Sequence, residues 1–203
     1  MRVKICGITR VEDALAAEAA GADAVGLIFA ERSKRRVALE QAADIVAALG
    51  PFIARVGVFV DAPLGTVQEA VRALRLSAVQ LHGHEDAAYA EALRPHVQVI
   101  RAVAFTPDLI PEVVQAFPAD AFLLDGLDPG SGEAFSWEDA GALVGLPNLI
   151  LAGGLTPGNV ATAIRLLRPY GVDVASGVES SPGIKDPRKI QDFVRAAKAV
   201  PAS

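Results

Sequence analysis

The sequence predicts a single-domain (β/α)₈ TIM barrel spanning residues 1–203. Three observations carry that prediction. Short apolar runs rich in β-branched residues recur eight times, stretches of helical periodicity separate them, and no linker or change of composition divides the chain. Strands alternating with helices indicate βαβ units on a parallel sheet, and eight such units suit a closed barrel. An open doubly wound sheet competes, but it usually has fewer strands and a Gly-rich dinucleotide turn after the first. Here that turn reads CGIT.

Strands are expected at RVKIC (2–6), DAVGLIF (23–29), RVGVFV (55–60), AVQLH (78–82), VQVIRAV (97–103), AFLLD (121–125), LILAG (149–153) and DVAS (173–176). Helical patterns include residues 12–21, 66–75 and 157–168. In the first strand, alternation turns Val3 and Ile5 towards the helices and Lys4 and Cys6 into the barrel. The eighth strand closes beside the first, so Lys4 is expected to pair with Asp173, because a lone buried ammonium is costly. Thr9 and Glu12 have the spacing of a capping box, which places the first helix start near residue 10.

A barrel of this kind carries its chemistry at the C-terminal ends of its strands. Those positions hold Cys6, Phe29, Asp61, His82, Val103, Asp125, Gly153–Gly154 and Ser176–Gly177. Cys6 is the only cysteine, so an internal disulfide is excluded. Lys4 and a nearby helix N-terminus both favour its thiolate, although a lone buried cysteine is often just a small apolar filler. Asp125 shares a face with Leu123 and should look into the mouth. Turn or helix capping is its ordinary alternative.

LILAGGLTPGNV (149–160) runs from a strand through Gly153 and Gly154 into a helix, with Thr156 expected at the N-cap and Pro157 at the first helical position. VASGVESSPGIKD (174–186) repeats the logic, with Ser176, Gly177 and Val178 expected to open a short extra helix. Backbone N–H groups in such Gly loops suit a phosphate. GLDPGSGEAFSW (126–137) reads as a lid. RSKRR (32–36) is mostly a solvated loop, in which one arginine could grip a carboxylate. Gln80 and His82 share the inward face and are read as bonding to neighbours or substrate. His96 precedes the fifth strand, at the wrong end of the barrel, so HGH (82–84) is a poor metal motif.

Composition narrows the function further. A net charge of −5 argues against non-specific nucleic-acid binding. One Cys and three His make a structural zinc site a poor fit. No signal peptide or apolar run long enough for a membrane span is visible, so a cytoplasmic enzyme with no membrane partner is expected. A homodimer is common for such enzymes, but nothing in the sequence locates an interface.

KICGIT, GADAVGLIF, SKR, RVGVFV, AVQLHG, LLDG, GSG followed by F-x-W, LAGGLTPGNV and VDVASGVESSPGIKD appear in this order from residue 3 to residue 186. Together they resemble the phosphoribosylanthranilate isomerase family of tryptophan biosynthesis. The resemblance implies a (β/α)₈ barrel, no metal or organic cofactor, and a small phosphosugar substrate. The implied reaction is an Amadori rearrangement of N-(5-phosphoribosyl)anthranilate to 1-(2-carboxyphenylamino)-1-deoxyribulose 5-phosphate. It implies Cys6 as general base, Asp125 as general acid and Arg35 as the holder of the anthranilate carboxylate. Gly153, Gly154, Ser176, Gly177 and Val178 match the phosphate loops. Gly130, Ser131 and Gly132 of the lid join Gln80 and His82 as expected substrate contacts. The competing readings are another sugar-phosphate isomerase, epimerase or synthase, and a catalytically silent phosphosugar-binding protein.

Overall fold

The computed structural model describes residues 1–126, 137, 141 and 145–201. Eight parallel strands follow one another around a closed barrel: β1 (Arg2–Cys6), β2 (Ala24–Ile28), β3 (Ala54–Phe59), β4 (Ala78–Leu81), β5 (Gln98–Ala104), β6 (Ala121–Asp125), β7 (Leu149–Leu151) and β8 (Gly171–Val174). The register of β1 on β8 sets Lys4 opposite Asp173 and closes the ring. Seven helices lie among the described residues: α1 (Val11–Ala19), α2 (Leu39–Ala48), α3 (Leu64–Leu74), α4 (Ala87–Leu93), α5 (Pro111–Gln115), α6 (Val160–Leu167) and α7 (Pro187–Lys198). The connection from β6 to β7 falls largely outside them. Among the described residues no helix is long and apolar enough to cross a membrane.

Strand alternation sorts the apolar side chains into two cores. Val3 and Ile5 of β1, Val25 and Leu27 of β2, and Val79 and Leu81 of β4 face outward and pack with the helices. Inside the barrel, Val56, Ala78, Ile100, Ala102, Leu123, Ile150 and Ala152 form a smaller apolar layer. Above that layer sit Lys4 and Gln80, both buried. The Lys4 ammonium lies 2.9 Å from Asp173 Oδ2, as the need to neutralise a buried charge requires.

Several element boundaries depart from the sequence reading. β8 starts two residues earlier than expected, and Ser176–Val178 forms the anticipated extra turn as a 3₁₀ helix. A hairpin of β9 (Glu179–Ser181) and β10 (Ile184–Lys185) follows. The capping box does not form: Arg10 holds the N-cap of α1 without a side-chain cap bond. The Thr9 hydroxyl instead donates to the Gly183 carbonyl of the hairpin. Nor does Thr156 cap α6 with Pro157 at its first position. A turn over Thr156–Asn159 intervenes, and Asn159 is the N-cap. The Asn159 carboxamide oxygen accepts from Thr156 N and its nitrogen donates to Gly154 O, so it braces the glycine loop rather than the helix.

At the opposite, N-terminal end of the barrel, a cavity of about 320 Å³ is lined by Val3, Ala54, Val56, Ala78, Ile100 and Tyr170 among others. Phe52, two residues before Ala54, is 99% exposed.

Asp173→Leu should destabilise the fold by about 3–5 kcal/mol in urea denaturation, because it strands the Lys4 charge. Adding Lys4→Met should recover most of that loss.

Candidate active site

A cavity of about 760 Å³ opens at the C-terminal ends of the strands. Cys6, Arg35, Gln80, His82, Asp125, Gly153, Gly154 and Ser176 all line it, so the structure brings together residues from β1, the β2–α2 loop and β4, β6, β7 and β8. Gly177 and Val178 do not line it. Val178 is fully buried in the outer core, and Gly177 packs against the loop after β7. Gly130, Ser131 and Gly132 lie outside the described residues. Among the described residues, no group of three or more His, Cys, Asp or Glu could hold a metal ion.

Cys6 ends β1 with its thiol pointing inward and only 6% of the residue exposed. Gly26 on neighbouring β2 makes room for it: a Cβ there would sit 2.6 Å from Cys6 Sγ. Burial pushes the thiol above its ordinary pKa, and the Asp173 carboxylate pushes it further, while Lys4 and Lys185 pull it down. The direction is opposite to the thiolate expected from Lys4 and the helix N-terminus. The physical reason is that the Lys4 charge is already matched by Asp173, which leaves desolvation to dominate.

Asp125 ends β6 and is largely buried. Its Oδ1 accepts from Gly126 N at 2.8 Å, and Oδ2 lies 3.8 Å from His82 Nε2. Burial raises its pKa to about 6, with Asp173 adding to the shift and the Gly126 bond and Lys4 opposing it. His82 is pushed the other way, towards the neutral ring, chiefly by burial and then by Lys4. Its loop is fixed from behind by the buried Glu85, which accepts from Asp61 N, Gly83 N and the Arg101 guanidinium.

Arg35 is the well-anchored arginine of the basic run. Its Nε and Nη2 form a bidentate pair with Glu179 at 2.7 and 2.9 Å, leaving Nη1 for a ligand. Glu179 also meets Lys185 Nζ at 3.1 Å, and these two cations hold its carboxyl below the usual range despite burial. Glu179 was missed in the sequence reading. An acidic residue in SGVESSPG, opposite a run of five mostly basic residues, was the available signal.

Gly153 and Gly154 both have positive φ, 78° and 64°. This row of two glycines, with no Cβ in the way, lets the backbone approach an anion closely. Gly177 couples this row to the 3₁₀ turn after β8, because a Cβ on Gly177 would lie 1.9 Å from Leu155 O.

The family model described as N-(5'-phosphoribosyl)anthranilate (PRA) isomerase matches residues 3–196. The chain belongs to this family. A Pseudomonas fluorescens (strain Pf-5) N-(5'-phosphoribosyl)anthranilate isomerase is 50% identical over 98% of this chain and 96% of its own. The crystal structure of the Thermus thermophilus phosphoribosylanthranilate isomerase superposes with a TM-score of 0.93 at 46% identity, covering 99% of this chain and all of that one. A second solved isomerase of the family, in complex with reduced 1-(o-carboxyphenylamino)-1-deoxyribulose 5-phosphate, reaches 0.90 at 40% identity over 98% of both chains. In this isomerase family member, then, the thiol, the carboxyl, the arginine and the glycine row open onto one cavity.

Gly177→Ala should push the two glycine-bearing loops apart. A rise in KM for the phosphosugar with a smaller change in kcat is expected in steady-state kinetics. An unchanged KM would show that the two loops do not act together.

Proposed function

We infer that the chain catalyses the family's reaction, the isomerisation of N-(5'-phosphoribosyl)anthranilate in tryptophan biosynthesis, and we propose that Cys6 and Asp125 carry it as base and acid. The supporting observation is that a buried thiol and a carboxyl with a pKa raised to about 6 line the same cavity. We also take the chain to be one domain and cytoplasmic.

In the proposed sequence, the Asp125 carboxyl gives its proton to the ring oxygen as the C1–O bond breaks. The nitrogen lone pair forms the C=N bond, giving a cationic Schiff base. That cation acidifies C2, and the Cys6 thiolate takes the C2 proton. The released pair makes the C1=C2 bond and neutralises the nitrogen. Tautomerisation of the enolamine then adds a proton at C1 and removes one from the 2-hydroxyl, giving the ketone. Sulfur ends with the proton and the carboxyl without it. One proton must therefore pass back from thiol to carboxyl before the next turnover. Gly153, Gly154 and Ser176 are assigned to the phosphate, and Gly177 holds their two loops together. Arg35 Nη1 is assigned to the anthranilate carboxylate, with Glu179 setting the plane of the guanidinium. Gln80 and His82 complete the wall beside Asp125.

Cys6→Ala and Asp125→Asn should each lower kcat by at least about 10²-fold with smaller changes in KM. The assay follows loss of phosphoribosylanthranilate fluorescence with EDTA present. Near-wild-type turnover in either variant would remove that residue from the mechanism.

The pH dependence follows from the two shifts. Between about pH 6 and the raised pKa of Cys6, the pair holds a single proton, and a fixed fraction of molecules carries it on Asp125 rather than on sulfur. Below about 6 both groups are protonated and the base is lost. Above the Cys6 pKa both are ionised and the acid is lost. A bell-shaped kcat/KM profile with its acid limb near 6 is expected. A fall in kcat/KM on going alkaline through pH 6 would contradict the assignment.

A homodimer is the proposed assembly. Phe52 and the apolar cavity at the N-terminal end of the barrel support it, because covering both with a second copy would remove apolar surface from water. Phe52→Glu should shift the sedimentation coefficient to that of a monomer. A wild-type chain that sediments as a monomer would end the proposal.

A further inference from the structure

Across the barrel interior, three polar side chains connect the surroundings of Cys6 to Asp125. Lys4 Nζ lies 2.9 Å from Gln80 Oε1, and Gln80 Nε2 lies 3.1 Å from His82 Nδ1. His82 Nε2 then faces Asp125 Oδ2 at 3.8 Å. Lys4 and Gln80 are 5% and 2% exposed, so bulk water offers neither an alternative partner.

The directions of these bonds are determined by chemistry. An ammonium only donates, so the amide atom facing Lys4 is the oxygen. The Gln80 nitrogen therefore points at His82 and donates, and Nδ1 must accept. A ring carrying hydrogen on Nδ1, whether as the other tautomer or as imidazolium, would set two donors against each other. His82 is thus neutral with its hydrogen on Nε2, the nitrogen that faces Asp125. Oδ1 of Asp125 is already engaged by Gly126 N, which leaves Oδ2 for the transferable proton and for His82.

We propose that Lys4 and Gln80 are positioning residues for the isomerisation: they lock His82 as the Nε2–H tautomer, with its donor aimed at the oxygen where charge appears when Asp125 releases its proton. This deepens the acid–base reading of Asp125 and rests on it. His82 transfers no proton. While Asp125 Oδ2 carries its own hydrogen, the two groups are both donors and stay apart. Once the carboxylate forms, a small rotation closes the 3.8 Å gap into a hydrogen bond. In the substrate complex, where Asp125 holds its proton, an interaction gained as charge develops lowers the barrier rather than tightening ground-state binding. Lys4 anchors the near end of the row, since its ammonium is itself held by Asp173 at 2.9 Å.

The test combines ¹⁵N NMR of the histidine rings with kinetics. Long-range ¹H–¹⁵N correlations, with the His82 signals identified by their loss in His82→Asn, should show hydrogen on Nε2 and none on Nδ1 in the wild type. Gln80→Glu keeps the shape but replaces the donor with an acceptor, so it should move the hydrogen to Nδ1. It should also lower kcat by at least about 10-fold with KM within about twofold, as expected when a tautomer is wrong and binding is not. Gln80→Met, which only removes the bond, should give mixed tautomers and a smaller loss of kcat, and it serves if the glutamate variant does not fold. Hydrogen on Nδ1 in the wild type would overturn the proposal. So would an unchanged kcat in a folded variant whose tautomer has reversed. The NMR result needs no substrate, so an inactive wild type with the expected tautomer would count against the isomerase reading and not against the tautomer assignment.

Discussion

The buried pair of Lys4 and Asp173 is the interaction on which the rest of the site depends. Register places the two residues opposite each other across the β1–β8 seam, and neither charge has enough water to survive alone. The same ammonium orients Gln80 and pulls the thiol pKa down. The same carboxylate raises the pKa of both Cys6 and Asp125. Barrel closure and the electrostatics of the cavity are therefore not separable features of this chain. One ion pair sets both.

The protonation that burial favours is the reverse of what the proposed first step needs. Burial pushes the thiol above its ordinary pKa and the carboxyl to about 6, so near neutral pH the proton rests on sulfur. This is also the arrangement in which the proposed cycle leaves the enzyme. Preparing for turnover thus amounts to moving one proton between two groups on the same cavity, with no net uptake from solvent. A bound phosphate favours a neutral Asp125, and a cationic intermediate next to sulfur favours a charged Cys6. Both effects exist only while substrate is present, which in the proposed cycle confines the thiolate to the occupied site.

The barrel, its eight strands and the mouth positions of Cys6, Asp125, His82 and Gly153–Gly154 were legible because they follow from period-2 alternation and from where strands end. Lys4–Asp173 was legible for the same reason, since register and charge sufficed. The failures came where long-range partners override local rules. Thr9 has the spacing of a cap, yet its hydroxyl goes to Gly183, a residue 174 positions away. Asn159 displaced Thr156 as the N-cap because its carboxamide could brace the glycine loop at the same time. The state of Cys6 was misjudged because proximity to Lys4 was visible in the sequence, while the neutralisation of that lysine and the depth of burial were not. Glu179 escaped because its role depends on Arg35, far away in the chain.

Glu179 has one more consequence. An arginine waiting in an open phosphosugar cavity would attract any stray anion in solution. Here the guanidinium already carries an internal counter-anion on its two best-aligned nitrogens, itself held by Lys185. In the proposed binding mode, the substrate carboxylate is delivered to the remaining nitrogen by contacts elsewhere on the molecule. Under the proposed assignment of Arg35 to the substrate carboxylate, this pairing would make the arginine a selectivity gate, indifferent to simple ions and responsive to a molecule that bears its negative groups at both ends.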